Sequence, residues 1–97
     1  MNDIVDYKQY MDSDYKVYVD VTETRLRDGT LLPQSLYWED GAYYVIDRVL
    51  DVRPAASLKA GGAGLRYTVR IQKKEVFMFL EEDRNVLRWF MERKERQ

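Results

Sequence analysis

From Tyr15 onward, apolar and polar residues alternate in short runs rich in Val, Ile, Tyr, Phe and Trp, broken by Asp-Gly pairs or polar clusters. A period of two marks half-buried strands rather than amphipathic helices. The runs fall near 15–25, 30–39, 42–53, 65–72, 76–82 and 86–94, which makes about six strands. In so short a chain a flat sheet would leave one face uncovered. The pattern therefore predicts an all-β domain over 15–97, folded as a small antiparallel barrel, SH3-like or related, or as a strongly bent sheet.

Parity sharpens two of the turns. In "YWEDGAYY", a three-residue loop of Glu39, Asp40 and Gly41, with Gly41 left-handed in a bulge, sets Trp38 against Ala42 and Leu36 against Tyr44. That register gathers Leu36, Trp38, Tyr44 and Ile46 on one face, whereas a two-residue Asp40-Gly41 turn scatters them. Ile46 and Val49 both look buried yet differ in parity, so a bulge is expected near Asp47-Arg48. In "LRYTVRIQKKEVFMFLEE", a tip at Lys73-Lys74 pairs Ile71 with Val76, Val69 with Met78 and Tyr67 with Leu80 on an apolar face. The opposite face then pairs Arg70 with Phe77, Thr68 with Phe79 and Arg66 with Glu81.

The two ends are less regular. In "NVLRWFMERKERQ", Val86, Leu87, Phe90 and Met91 suit a helix capped by Asp83, while Leu87, Trp89 and Met91 alternate as a strand would. Residues 1–14 place Ile4, Tyr7 and Met11 on one helical face, enough for a short helix or an ordered arm.

Composition narrows the chemistry. At 97 residues there is room for one modest core, burying roughly 60 to 65% of the unfolded chain's surface. Cysteine and histidine are both absent, which removes disulfides, thiolate nucleophiles, zinc-thiolate sites and the commonest general base. The N-terminus carries four aspartates and no signal-like apolar run, so a cytoplasmic protein with no membrane segment is expected. Charge is uneven: residues 1–24 hold six acids and two bases, whereas 47–74 hold seven bases and two acids. Such asymmetry marks either an anion-facing surface or two segments that attract each other.

Each motif has a structural alternative. "KAGGAG" at 59–64 suggests a phosphate loop, but Lys59 precedes the glycines and Leu65-Arg66 follow, so neither the Walker pattern nor the dinucleotide fingerprint fits. The Gly-x-x-Gly of K-homology domains joins two helices, and here a strand follows. A flexible connection is the better reading. Asp12-Ser13-Asp14 and Glu81-Glu82-Asp83 are acidic clusters that do not continue into a calcium loop. Asp47 and Asp51, with Arg48 and Arg53 nearby, would need a pocket to act as an acid-base pair, which a small filled barrel does not offer. No enzyme, cofactor or metal is expected.

The hairpin's outer face is the sharper candidate. Phe77 and Phe79, beside Arg66 and Arg70, combine apolar area with charge, and burying each phenylalanine is worth about 2 to 3 kcal/mol. Coverage by the N-terminal segment, another strand or a second copy is expected. The leading function is accordingly a non-enzymatic binding or assembly module acting through protein contacts or self-association. The alternative is a weak single-stranded nucleic-acid binder that adds Arg48, Arg53, Lys59, Lys73 and Lys74 as phosphate contacts.

At "WEDGAYYVIDRVLDV", "GLRYTVRI" and "RWFMER" the chain resembles a family of short bacterial proteins of uncharacterised function. The shared pattern falls on Trp38, Gly41, Tyr44, Ile46, Arg48, Val49, Leu50 and Asp51, with a closing Arg88, Trp89 and Phe90. The resemblance spans about Tyr18 to Lys94 and implies a compact β domain whose last segment is a strand. It implies no activity or cofactor.

Overall fold

The computed structural model describes residues 16–55 and 63–93. They form eight strands: β1 Lys16–Tyr18, β2 Asp20–Arg25, β3 Leu31–Tyr37, β4 Tyr43–Val45, β5 Arg48–Pro54, β6 Ala63–Ile71, β7 Lys74–Asp83 and β8 Val86–Glu92. Every pairing is antiparallel. One sheet has the order β1-β8-β7-β6-β5 and the other β2-β3-β4. No helix occurs among the described residues, and the C-terminal segment is a strand rather than a helix. The expected N-terminal arm or helix lies outside the described residues.

Sequence explains the turns. "RDGT" and "EDGA" fold alike: the Asp28 carboxylate accepts the Thr30 N–H at 2.9 Å, and Asp40 accepts that of Ala42 at 2.9 Å. The following glycines sit at φ of +94° (Gly29) and +88° (Gly41), a region that a side chain disfavours. Trp38 N–H reaches the Ala42 carbonyl at 2.8 Å, and Leu36 pairs with Tyr44 as parity predicts. The β6–β7 and β7–β8 turns use two residues each, Gln72-Lys73 and Arg84-Asn85, all four at positive φ. Such turns match the right-handed twist of the flanking strands.

The β6–β7 tip therefore lies one residue earlier than expected, and all its pairs shift. Val69 faces Val76, Arg70 faces Glu75, Thr68 faces Phe77 and Arg66 faces Phe79. A shift of two in the partner preserves parity, so the apolar face is as expected while the outer pairs change. The observed register sets Arg70 against an acid, with 3.8 Å between Arg70 Nη2 and Glu75 Oε2, and lets the Gln72 N–H reach Asp47 Oδ2 at 3.2 Å.

Two of the six expected runs divide between the sheets. The first switches at Val19, whose N–H bonds the Trp89 carbonyl at 3.1 Å. The third switches at Ile46 and Asp47, whose N–H groups bond the carbonyls of Gln34 and Arg70 at 2.9 and 2.8 Å. Curvature is concentrated at these corners, so the ladders stay two facing sheets and no closed barrel forms among the described residues. The expected bulge near Asp47-Arg48 is instead this corner. The register shift in β5 comes later, between Val49 and Asp51, and leaves Leu50 as the extra residue.

The core fills the space between the sheets. Leu31, Leu36 and Ile46 meet Tyr67, Val69, Ile71, Met78, Leu80 and Trp89. Two buried aromatics have polar atoms that need partners, and both find them across the gap. The Tyr67 hydroxyl donates to the Leu31 carbonyl at 2.5 Å, and the Trp89 indole N–H to Glu23 at 2.6 Å. Burial, then the nearby Glu23 charge, raises the Tyr67 pKa above its usual value.

Candidate binding face

The residues that point away from this core on the five-stranded sheet form the candidate site. Alternation puts Arg66, Thr68 and Arg70 outward on β6 and Phe77 and Phe79 outward on β7, because their neighbours Tyr67, Val69 and Met78 are fully buried. Pairing then carries these rows across the sheet. Arg53, Arg66, Phe79, Phe90 and Tyr18 are successive cross-strand partners from β5 to β1. Asp51, Thr68 and Phe77 form the next row, and Arg48, Arg70 and Glu75 the one beyond.

Half of the expected coverage is supplied by the chain itself. Phe79 stacks on the buried Phe90, with centroids 4.9 Å apart and planes 7° from parallel. Phe77 meets Phe79 edge-on at 6.5 Å but remains 47% exposed. Cations lie over the rings: Arg66 over Phe77 at 4.4 Å, Lys16 over Phe90 at 4.5 Å and Arg88 over Tyr18 at 4.4 Å. Each contact is worth about 0.5 to 1 kcal/mol at an exposed site.

Carboxylates organise the rest. Glu81, 8% exposed, accepts Lys16 Nζ at 3.2 Å, Arg88 Nη2 at 2.8 Å and the Tyr18 hydroxyl at 3.1 Å. Burial pushes its carboxyl up, and the donors from Lys16, Tyr18 and Arg88 outweigh burial to hold it below the usual range. The Arg53 hydrogen bond, at 2.7 Å, lowers Asp51 below its usual value, aided by the Arg66 charge. Arg66 and Arg48 have no carboxylate at salt-bridge distance among the described residues, and Arg66 Nε is buried without a hydrogen-bond partner.

The structure brings Arg66, Arg70, Phe77 and Phe79 together, with Arg48 and Arg53 joining from β5. All three expected outer pairings are corrected by the register shift: Arg70 faces Glu75, Thr68 faces Phe77 and Arg66 faces Phe79, while Glu81 lies between Gly64 and Arg88. Lys73 sits in the turn and Lys74 opposite Ile71, at the end of the hairpin rather than on the row with Phe77. Lys59 lies outside the described residues, as does most of "KAGGAG". Sequence reasoning missed Phe90, Tyr18, Lys16 and Arg88. Phe90 was legible in principle, since in a strand that buries Trp89 its neighbour must face the other way.

Among the described residues no group of three His, Cys, Asp or Glu side chains gathers to hold a metal. Asp47 and Asp51 are held by different partners, Gln72 and Arg53. A shallow groove of about 350 Å³ follows the first corner, lined by Tyr18 to Val21 and Leu87 to Trp89. No family model, curated protein or solved structure matches the chain.

Proposed function

We propose that this chain is a small non-enzymatic binding module that docks a protein partner on the outer face of β6 and β7, with Phe77 and Arg66 at the centre. One observation carries the reading: Phe77 is half exposed beneath a guanidinium whose Nε is buried and unpaired. Interface energy concentrates on aromatic and arginine side chains that await desolvation by a partner. The continuity of the two sheets at their corners supports reading the scaffold as an opened relative of small SH3-like barrels, a fold that presents such faces.

Single-stranded nucleic acid is the weaker reading. A base would stack where cations already sit, over Phe77, Phe90 and Tyr18. Arg53, Arg70, Arg88 and Lys16 are each within 4 Å of a carboxylate, which weakens phosphate attraction.

Selection of random peptides on the folded protein, counter-screened on Phe77→Ser, tests the proposal. Enriched peptides are expected to lose most of their affinity for Phe77→Ser. Peptides that bind both forms equally, or no enrichment at all, would refute it, provided a thermal melt shows Phe77→Ser to be folded.

A further inference from the structure

Arg48 and Arg53 differ by five positions, so in a regular strand they would point to opposite faces. The extra residue at Leu50 cancels that difference, and each arginine lies directly across from another: Arg48 from Arg70, and Arg53 from Arg66. Like charges in directly opposed positions destabilise a sheet, and here the arrangement occurs twice, made possible by one bulge. Bulges that re-aim side chains are enriched beside functional sites. Local acids answer only one arginine of each pair. Asp51 pairs with Arg53, Glu75 reaches Arg70 only at 3.8 Å, and Arg48 and Arg66 have no carboxylate at that distance among the described residues. Arg66 Nε is itself buried without a hydrogen-bond partner, so this guanidinium is not committed to an acceptor among the described residues.

We infer that the face recognises an extended acidic protein segment whose two carboxylates are four residues apart, one over each arginine pair, with an apolar residue midway against Phe77. The spacing follows from the sheet. Arg66 and Arg70 are four residues apart on β6, about 13 Å along a strand, and Phe77 lies in the row between them. An extended segment laid along β6 repeats that spacing, so acids at its first and fifth positions bracket an apolar third. A second copy of this chain is a poor occupant, because a two-fold contact sets the same net-positive patch, four arginines against Asp51 and Glu75, on itself. Addition to the edge of β5, the last strand of the sheet among the described residues, is disfavoured as well: the Leu50 bulge, Pro54 and the charges of Arg48, Asp51 and Arg53 all blunt that edge.

This inference rests on the binding-face reading, and the peptide selection separates the two. The expected result is enrichment of Glu or Asp at positions four apart around an apolar residue. A synthetic peptide of that pattern should weaken roughly threefold to tenfold for each of Arg48→Gln and Arg66→Gln, and further with added salt. Moving one acid by a single position should abolish most of the binding. Enriched peptides that depend on Phe77 but show no acidic spacing, or that ignore both arginine substitutions, overturn the inference and leave the binding face standing. A single-stranded oligothymidylate bound as tightly as the peptide overturns it as well, as does a scattering mass that doubles with concentration and reverts in Phe77→Ser.

Discussion

Glu81 shows how far a side chain's role departs from its local sequence. In the sequence it reads as one acid of the "EED" cluster and as a cross-strand partner for Arg66, yet it is nearly buried and bonded to Lys16, Tyr18 and Arg88, the first two more than sixty positions away. Nothing in the sequence near Glu81 signals this, because its partners depend on β1 docking beside β8. The consequence is a pH dependence. Its folded-state pKa lies below the ordinary 4.5, so its contribution is complete above that value and is lost as pH falls through the folded one. The melting temperature should therefore fall with acidification below pH 4.5, and Glu81→Gln should flatten that fall while lowering stability at neutral pH. Thermal melts across pH would show this. An unchanged acid profile in the variant would assign the loss to other carboxylates.

At the scale of elements, legibility depended on whether a turn's chemistry was local. Both Asp-Gly turns close through an aspartate bonded two residues on and a glycine at positive φ, so sequence parity found the β3–β4 register. The β6–β7 tip has no glycine, and nothing local distinguishes Gln72-Lys73 from Lys73-Lys74. There the bond from the Gln72 N–H to Asp47 favours the observed register and requires the corner before β5 to be in place, while the exposed Arg70–Glu75 pair within the hairpin adds little. The faces were still correct, since a slip of two preserves parity. Gly41 tests the argument cleanly because a Cβ there would meet nothing within 4 Å. Gly41→Ala should cost about 1 to 2 kcal/mol from backbone strain alone. Gly41→Asn should lose less, as asparagine tolerates that conformation. Urea denaturation measures both, and an equal loss for the two would point to something other than φ.

For the whole molecule, the run pattern fixed the class but not the closure. Alternation shows which residues face a core but not where a strand leaves one sheet for the other: the bend at Val19 leaves no break in the apolar pattern, and the parity break after Ile46 reads equally as a bulge within one strand or as the corner it is. Closure also sets the order of assembly. The β6–β7 and β7–β8 hairpins join residues close in sequence, whereas β1 meets β8 only by bringing together positions such as Val17 and Met91. A loop that long is costly to close before other contacts have formed, so the β1–β8 pairing belongs late in folding. Val17 is the buried residue of β1, and Val17→Ala should destabilise by about 1 to 2 kcal/mol. If β1 docks after the transition state, nearly all of that loss appears as faster unfolding, with the folding rate almost unchanged. A denaturant chevron of the two proteins decides it. A slower folding limb with an unaltered unfolding limb would place the joining of the chain's ends in the nucleus, and the hairpins would then follow closure rather than precede it.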